Sequence, residues 1–163
     1  MARAFSMTGS VRLSPQWTDD LNTTSVLDST LINLALTLAD GTGAGQANCY
    51  WKDVRTVAGN QSDTIDLNSL PLKAFSGDGT LALSALRLIY VRNLSETQRL
   101  TYVFDESQRS IALTPGGFFV WSGSVTLNGS VVEPTFTATE IQILNGAGAA
   151  ANYEILLVGV GAT

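Results

Sequence analysis

From residue 31 onward the apolar positions fall into short runs of period two, each cut off by a cluster of Gly, Pro, Asn or Asp. That is the spacing of half-buried β-strands rather than helices. Residues 31–38 (LINLALTL) place Leu34, Leu36 and Leu38 on one face, with Asn33, Ala35 and Thr37 on the other. A Gly-rich turn follows, then residues 49–58 (CYWKDVRTVA), residues 64–67, and a break at Pro71. The strongest run is 84–93 (SALRLIYVRN), with Leu86, Leu88 and Tyr90 opposite Arg87, Ile89 and Val91. Being apolar on both faces at its middle, it is expected to lie centrally or under a partner.

Weaker strands are expected at 100–104, 110–113, 118–121 and 124–127, the third led in by the turn Pro115-Gly116-Gly117. Residues 140–144 (EIQIL) and 153–160 (YEILLVGV), separated by NGAGAAAN, read as a C-terminal hairpin with a long loop. At 80–87 (TLALSALR) one short helical turn is the most the composition allows before the strand continues. The first thirty residues differ: they are polar, with isolated apolar positions at Phe5, Met7, Val11, Leu13 and Trp17 and room for a strand at 9–13. The expected organisation is therefore an N-terminal arm (1–30) and a single antiparallel β-sandwich domain (31–163), all-β and jelly-roll-like.

Composition narrows the function. The chain has 163 residues, 14% of them charged, and a formal net charge of −5. Thr, Ser, Asn and Gly take the place of the missing charge, and β-branched Thr suits a pleated surface. Its nine basic residues are scattered, whereas a nucleic-acid grip needs clustered Lys and Arg against phosphates. Cys49 is alone, so no intrachain disulfide is available. N-x-S/T matches at Asn22, Asn60, Asn93 and Asn128 are those chance gives in so Asn- and Thr-rich a sequence. The start (MARAFSMTGSVRLSP) has no apolar signal core, and no run reaches the roughly 18 apolar residues of a membrane span. The expectation is a soluble protein, assembled in a reducing cytoplasm, that binds neither nucleic acid nor membrane.

Little chemistry can be built from these residues. Without histidine there is no Ser-His-Asp or Cys-His pair and no His-bearing zinc site. Cys49, beside Tyr50 and Trp51, reads as a small buried hydrophobe. The candidates for a glycosidase-like pair are Asp53, Asp63, Asp66, Asp105, Glu106, Glu133, Glu140 and Glu154, most of them at turns or on polar strand faces. Asp19-Asp20, Asp63-x-x-Asp66 and Asp105-Glu106 match no dense calcium loop and read as turn caps. Gly146-x-Gly148-x-x-Ala151 satisfies a dinucleotide fingerprint, but a strand follows where a helix must begin. Gly41-x-Gly43-x-Gly45 lacks the P-loop lysine and is a turn. No catalytic residue, cofactor or metal is expected.

The aromatic runs Tyr50-Trp51 and Phe118-Phe119-Val120-Trp121 place large apolar groups on both faces of their strands. Ordinary sandwich core accounts for these runs, since both inner faces need filling; the alternative is a subunit interface. Arg87 and Arg92 flank Ile89 and fit either an interface or a wet face. The candidate subunit or capsid interface is therefore Trp17, Tyr50, Trp51, Arg87, Arg92, Phe118 and Trp121.

Residues 39–59 (ADGTGAGQANCYWKDVRTVAG) resemble a stretch found in tailed-bacteriophage structural proteins, in which a Gly-rich turn precedes Gln-Ala, an aromatic and a W-x-D-x-R-T run. DTIDL at 63–67, the strand at 86–93, PGGFFVW at 115–121 and NGAGAAANYEILLVG at 145–159 follow in similar order. The resemblance covers about 31–160 and leaves the arm aside. It implies a viral protein of the virion similar to capsid cement or decoration proteins: a homo-oligomer, dimer or trimer, on the outer capsid surface, bound to the major capsid protein and not an enzyme. The alternatives are a tail, head-fibre or connector component, or a carbohydrate-binding sandwich stacking sugars on Trp17, Trp51 or Trp121. On the arm reading, deleting residues 1–25 leaves the domain folded and weakens attachment to shells or oligomerisation. A large fall in melting temperature would instead make the arm part of the core.

Overall fold

A computed structural model describes residues 5–14, 16–21, 24–29, 32–74, 77–103, 110–123, 125–127, 130–132, 139–146 and 148–161. Among them there is no helix; the elements are all strands. In chain order these are β1 (Met7–Leu13), β2 (Gln16–Leu21), β3 (Thr24–Ser29), β4 (Ile32–Asp40), β5 (Gln46–Ala47) and β6 (Cys49–Val57). Next come β7 (Ser62–Asp66), β8 (Leu70–Ala74), β9 (Gly77–Leu81), β10 (Leu83–Asn93), β11 (Leu100–Val103) and β12 (Ser110–Leu113). The last are β13 (Phe118–Ser122), β14 (Val125–Leu127), β15 (Ser130–Val132), β16 (Glu140–Asn145) and β17 (Ala151–Gly161).

Two four-stranded antiparallel sheets form the sandwich, in the orders β13-β10-β17-β6 and β12-β11-β16-β7. The pairings are nested: β11 with β12, β10 with β13, β7 with β16 and β6 with β17. The chain thus behaves as one long hairpin ribbon doubled over and rolled so that alternate stretches join opposite sheets. Between the sheets lies the core: Trp51, Ile89, Val91, Tyr153, Ile155 and Leu157 from the first, against Ile65, Leu100, Tyr102, Leu113, Ile141 and Ile143 from the second.

Four local expectations change. Strands β16 and β17 do not form a hairpin: β16 pairs with β7 and β11, β17 with β6 and β10. The loop between them is long enough to cross from sheet to sheet, and Asn145 anchors it by donating from Nδ2 to Val57 O (3.1 Å) and Ala149 O (2.9 Å). Strand β4 stands outside both large sheets, paired instead along β1 and, in parallel, with β5. In β10 the register shifts between Leu86 and Leu88. Beyond that β-bulge the alternation changes phase, so Leu86, Ile89 and Val91 join the core while Leu88 and Tyr90 face outward. Pro71 interrupts no strand; it sits in β8, in a two-stranded ribbon with β9 where a missing N–H costs no central ladder bond.

Other turns match their sequence. Thr114-Pro115-Gly116-Gly117 closes with Gly117 N donating to Thr114 O at 2.8 Å, and Gly116 takes the positive φ (72°) that a Pro-Gly turn needs. Asn93 is fully buried, its Nδ2 shared among the carbonyls of Gln98, Leu113 and Thr114. That N-x-S match therefore serves packing, with no accessible amide. At the Gly146 fingerprint the chain enters a strand at Ala151.

The N-terminal segment is itself a hairpin. Its base pairs β1 with β4 from Met7↔Leu38 to Leu13↔Ile32, and its outer part pairs β2 with β3. At the base, Phe5, Met7, Leu36 and Leu38 pack with Ala47 against Leu88, Tyr90, Leu156 and Val158 on the outside of the first sheet. Further out, Thr8, Ser10, Arg12 and Leu13 are exposed. Truncating 1–25 removes β1 and uncovers Leu38, Leu88 and Val158, so a lower melting temperature is expected. Replacing residues 14–31 by Asn-Gly, which closes β1 directly onto β4, is expected to leave the melting temperature within about 3 °C. Thermal unfolding of both variants checks the contrast.

Candidate functional site

Strand register fixes which side chains share the outer face of the first sheet. Across β13, β10, β17 and β6 the rows are Phe118–Arg92–Glu154–Val54, then Val120–Tyr90–Leu156–Lys52, then Ser122–Leu88–Val158–Tyr50. The last row lies at the hairpin base. The first row is open, with Phe118 61% and Val54 58% exposed. In the second, Tyr90 and Leu156 pack against the hairpin base and Val120 is 39% exposed at the edge; Tyr50 is 59% exposed at the far edge of the third. Tyr90 and Phe118 rings lie 6.5 Å apart, and those of Phe5 and Tyr50 6.4 Å apart. Lys52 Nζ reaches Glu154 Oε1 at 2.6 Å, and this contact raises the lysine above its ordinary range. Arg92 is exposed and forms no ion pair among the described residues.

The second sheet is the opposite in character. Its outer face presents Thr64 and Asp66 from β7, Glu140, Gln142 and Leu144 from β16, Thr101 and Val103 from β11, and Ser110 and Ala112 from β12. A concavity of about 470 Å³ over Thr101, Val103, Ser110, Gln142, Leu144 and Asn145 is open to solvent. One face of the sandwich is thus dressed for water, and the other carries aromatic and aliphatic groups that solvent does not favour.

Of the candidate interface residues, Tyr50, Arg92 and Phe118 lie on that outer face: Arg92 and Phe118 are register neighbours, while Tyr50 stands on the opposite edge strand beside Phe5. Trp51 points the other way; it is 4% exposed and donates from Nε1 to Pro71 O at 2.9 Å. Trp121 also faces inward against the core. Arg87 sits at the β10 bulge, buried beneath the Gly-rich turn, donating to the carbonyls of Gln46 (3.2 Å) and Gly43 (3.3 Å). Trp17 lies in β2 opposite Asp28. Val54, Val120 and Tyr90 complete the face and escape a reading by aromatic runs. The alternation Tyr50, Lys52, Val54 along one strand was the available signal.

One polar cluster bridges the two sheets. Arg55 on β6 forks onto Asp63 on β7, with Nε to Oδ2 at 2.7 Å and Nη2 to Oδ1 at 2.8 Å, while Tyr153 OH donates to Oδ2 at 2.7 Å. The guanidinium and then the phenol hold the Asp63 carboxyl below the usual carboxylate range, against the opposing effect of burial. Burial, reinforced by Asp63, pushes the Tyr153 phenol up. These groups satisfy one another, leaving no free acid aimed at the shallow cavity of about 350 Å³ beside them. Cys49 is half-buried, its thiol raised by burial and directed at Gly159 O (3.4 Å). Among the described residues no three His, Cys, Asp or Glu side chains converge as a metal site.

No protein-family model matches the chain, and no curated protein sequence matches it.

Two outcomes follow for stability. Phe118→Ser and Val54→Ser, on an open face, are expected to cost less than about 1 kcal/mol, against roughly 3–5 kcal/mol for Trp51→Ala in the core. Denaturant titration separates them. Asp63→Asn is expected to cost roughly 2 kcal/mol at neutral pH by breaking a charge-assisted fork. Because folding lowers the Asp63 pKa, its contribution is complete above the unfolded-state value of about 3.9 and disappears as pH falls through the folded value. The Asn variant should lack that part of the acid limb in a stability–pH series.

Proposed function

We propose that this chain is a non-enzymatic structural protein of a tailed-phage virion, a cement or decoration protein that binds and stabilises the capsid shell. The observation that carries this reading is the contrast between the two outer faces. A polar face suits solvent outside a particle, and an apolar face with Arg92 and Tyr90 on an inner strand suits a protein partner, since aromatic and Arg side chains dominate protein contacts. In this reading the nested strand pairing is a jelly roll, the architecture the family resemblance implies. A net charge of −5 suits a site on the outside of the shell, away from packaged DNA. The partners are the major capsid protein and further copies of the chain.

A tail, head-fibre or connector role keeps the virion context and differs in abundance. A sugar-stacking role loses two of its three platforms, because Trp51 is buried in the core and Trp121 packs inward against it.

Quantitative mass spectrometry of particles purified from infected cells tests the proposal. The expected result is a copy number comparable to that of the major capsid protein. A copy number far below it would transfer the chain to the tail or connector, and absence from purified particles would overturn the virion role.

A further inference from the structure

We propose that the outer part of the N-terminal hairpin, β2 and β3, docks on the open apolar face of the first sheet in a second copy of the chain, so that the protein self-associates by exchanging arms. This rests on the reading of that face as a contact surface and names its occupant.

The hairpin needs a surface. β2 and β3 pair with each other as a two-stranded sheet, and an isolated two-stranded ribbon is at best marginally stable in water. Its own sheet does not supply that surface: the hairpin is anchored at the Leu88–Val158 row, and Phe118, Val120 and Val54 remain uncovered.

Size and charge both fit. Each strand of the ribbon has six residues, about 20 Å long, against about 14 Å across four strands. From residue 13 to residue 51 there is no Lys or Arg, while the ribbon carries Asp19, Asp20 and Asp28. The face offers the opposite sign where it is open: Arg92 stands between Phe118 and Glu154, and Glu154 is already engaged by Lys52. Apolar residues are present on the ribbon as well, with Trp17 opposite Asp28 and Val26 opposite Asp19. An acidic, partly apolar strip thus has the length to span a face on which Arg92 stands among apolar groups. A head-to-tail contact of this kind closes when two or more copies each give an arm and receive one.

Sedimentation velocity of the purified full chain over a concentration series tests this without any shell present. The expected result is a concentration-dependent oligomer. Arg92→Glu alone, and Asp19→Arg with Asp28→Arg, which share one face of the ribbon, should each weaken it at least tenfold, and all three substitutions combined should recover most of the loss. The variant with Asn-Gly in place of residues 14–31 should be monomeric while keeping its melting temperature, which separates loss of the arm from loss of the fold. A wild-type chain that stays monomeric at its highest soluble concentration overturns the proposal, as does an oligomer that survives removal of the ribbon or ignores the charge reversals. Absence from phage particles would leave this result standing, and a monomeric chain would leave shell binding to be judged on particles alone.

Discussion

Strand β17 pairs with β10 on one side and β6 on the other along most of its eleven residues, and the rest of the architecture is arranged around it. Its inward side chains, Ala151, Tyr153, Ile155 and Leu157, line the middle of the inter-sheet core. Its outward ones, Leu156 and Val158, form the bed on which the N-terminal hairpin rests. One strand therefore serves two hydrophobic contacts, one on each face. The bulge in β10 belongs to the same constraint. By changing phase at Leu86–Leu88 it lets a second strand feed both the core and the outer layer, with Arg87 tied to the turn above. Close to that bulge, Gly159 runs so near the Ala85 carbonyl that a Cβ would collide with it.

Placing apolar residues on both faces of the first sheet makes the sandwich asymmetric. The second sheet needs only one buried face and spends mainly Thr, Ser, Gln, Asp and Glu on the other, with Leu144 and Val103 among them. A site for a small ligand would have polar groups converging on a concavity. Here the polar side chains that could have converged are turned on each other, as in the Arg55–Asp63–Tyr153 fork that links the two sheets at β6, β7 and β17.

Much of the strand pattern was legible in the sequence, because period-two alternation and Pro/Gly punctuation are local properties. Residues 110–113 and the Pro115–Gly117 turn are examples. What escaped is set by partners far along the chain. The hairpin reading of 140–160 followed from a turn signal, but the inward residues Ile141 and Ile143 find their neighbours in β7 and β11, and Tyr153 and Ile155 find theirs in another sheet. The leucines of 31–38 look like a core strand, yet Leu36 and Leu38 cover an outer face. Of the interface candidates, alternation alone separates Trp51 from Tyr50 once one of them is known to be buried. The position of Arg87 depends on a bulge that no pattern of apolar residues announces.

Nested pairing also imposes an order on synthesis. As the chain emerges from the ribosome, β6 and β7 appear early, but the strands that seal them, β17 and β16, are among the last described elements to be made. Until residues 151–161 are available, the inward faces of β6 and β10 have no strand between them, and their backbone edges are open to other nascent chains. The short polar turns and the scarcity of long apolar runs in the first half of the sequence then have a purpose beyond the finished structure. They keep a half-made ribbon in solution while it waits for its central strand.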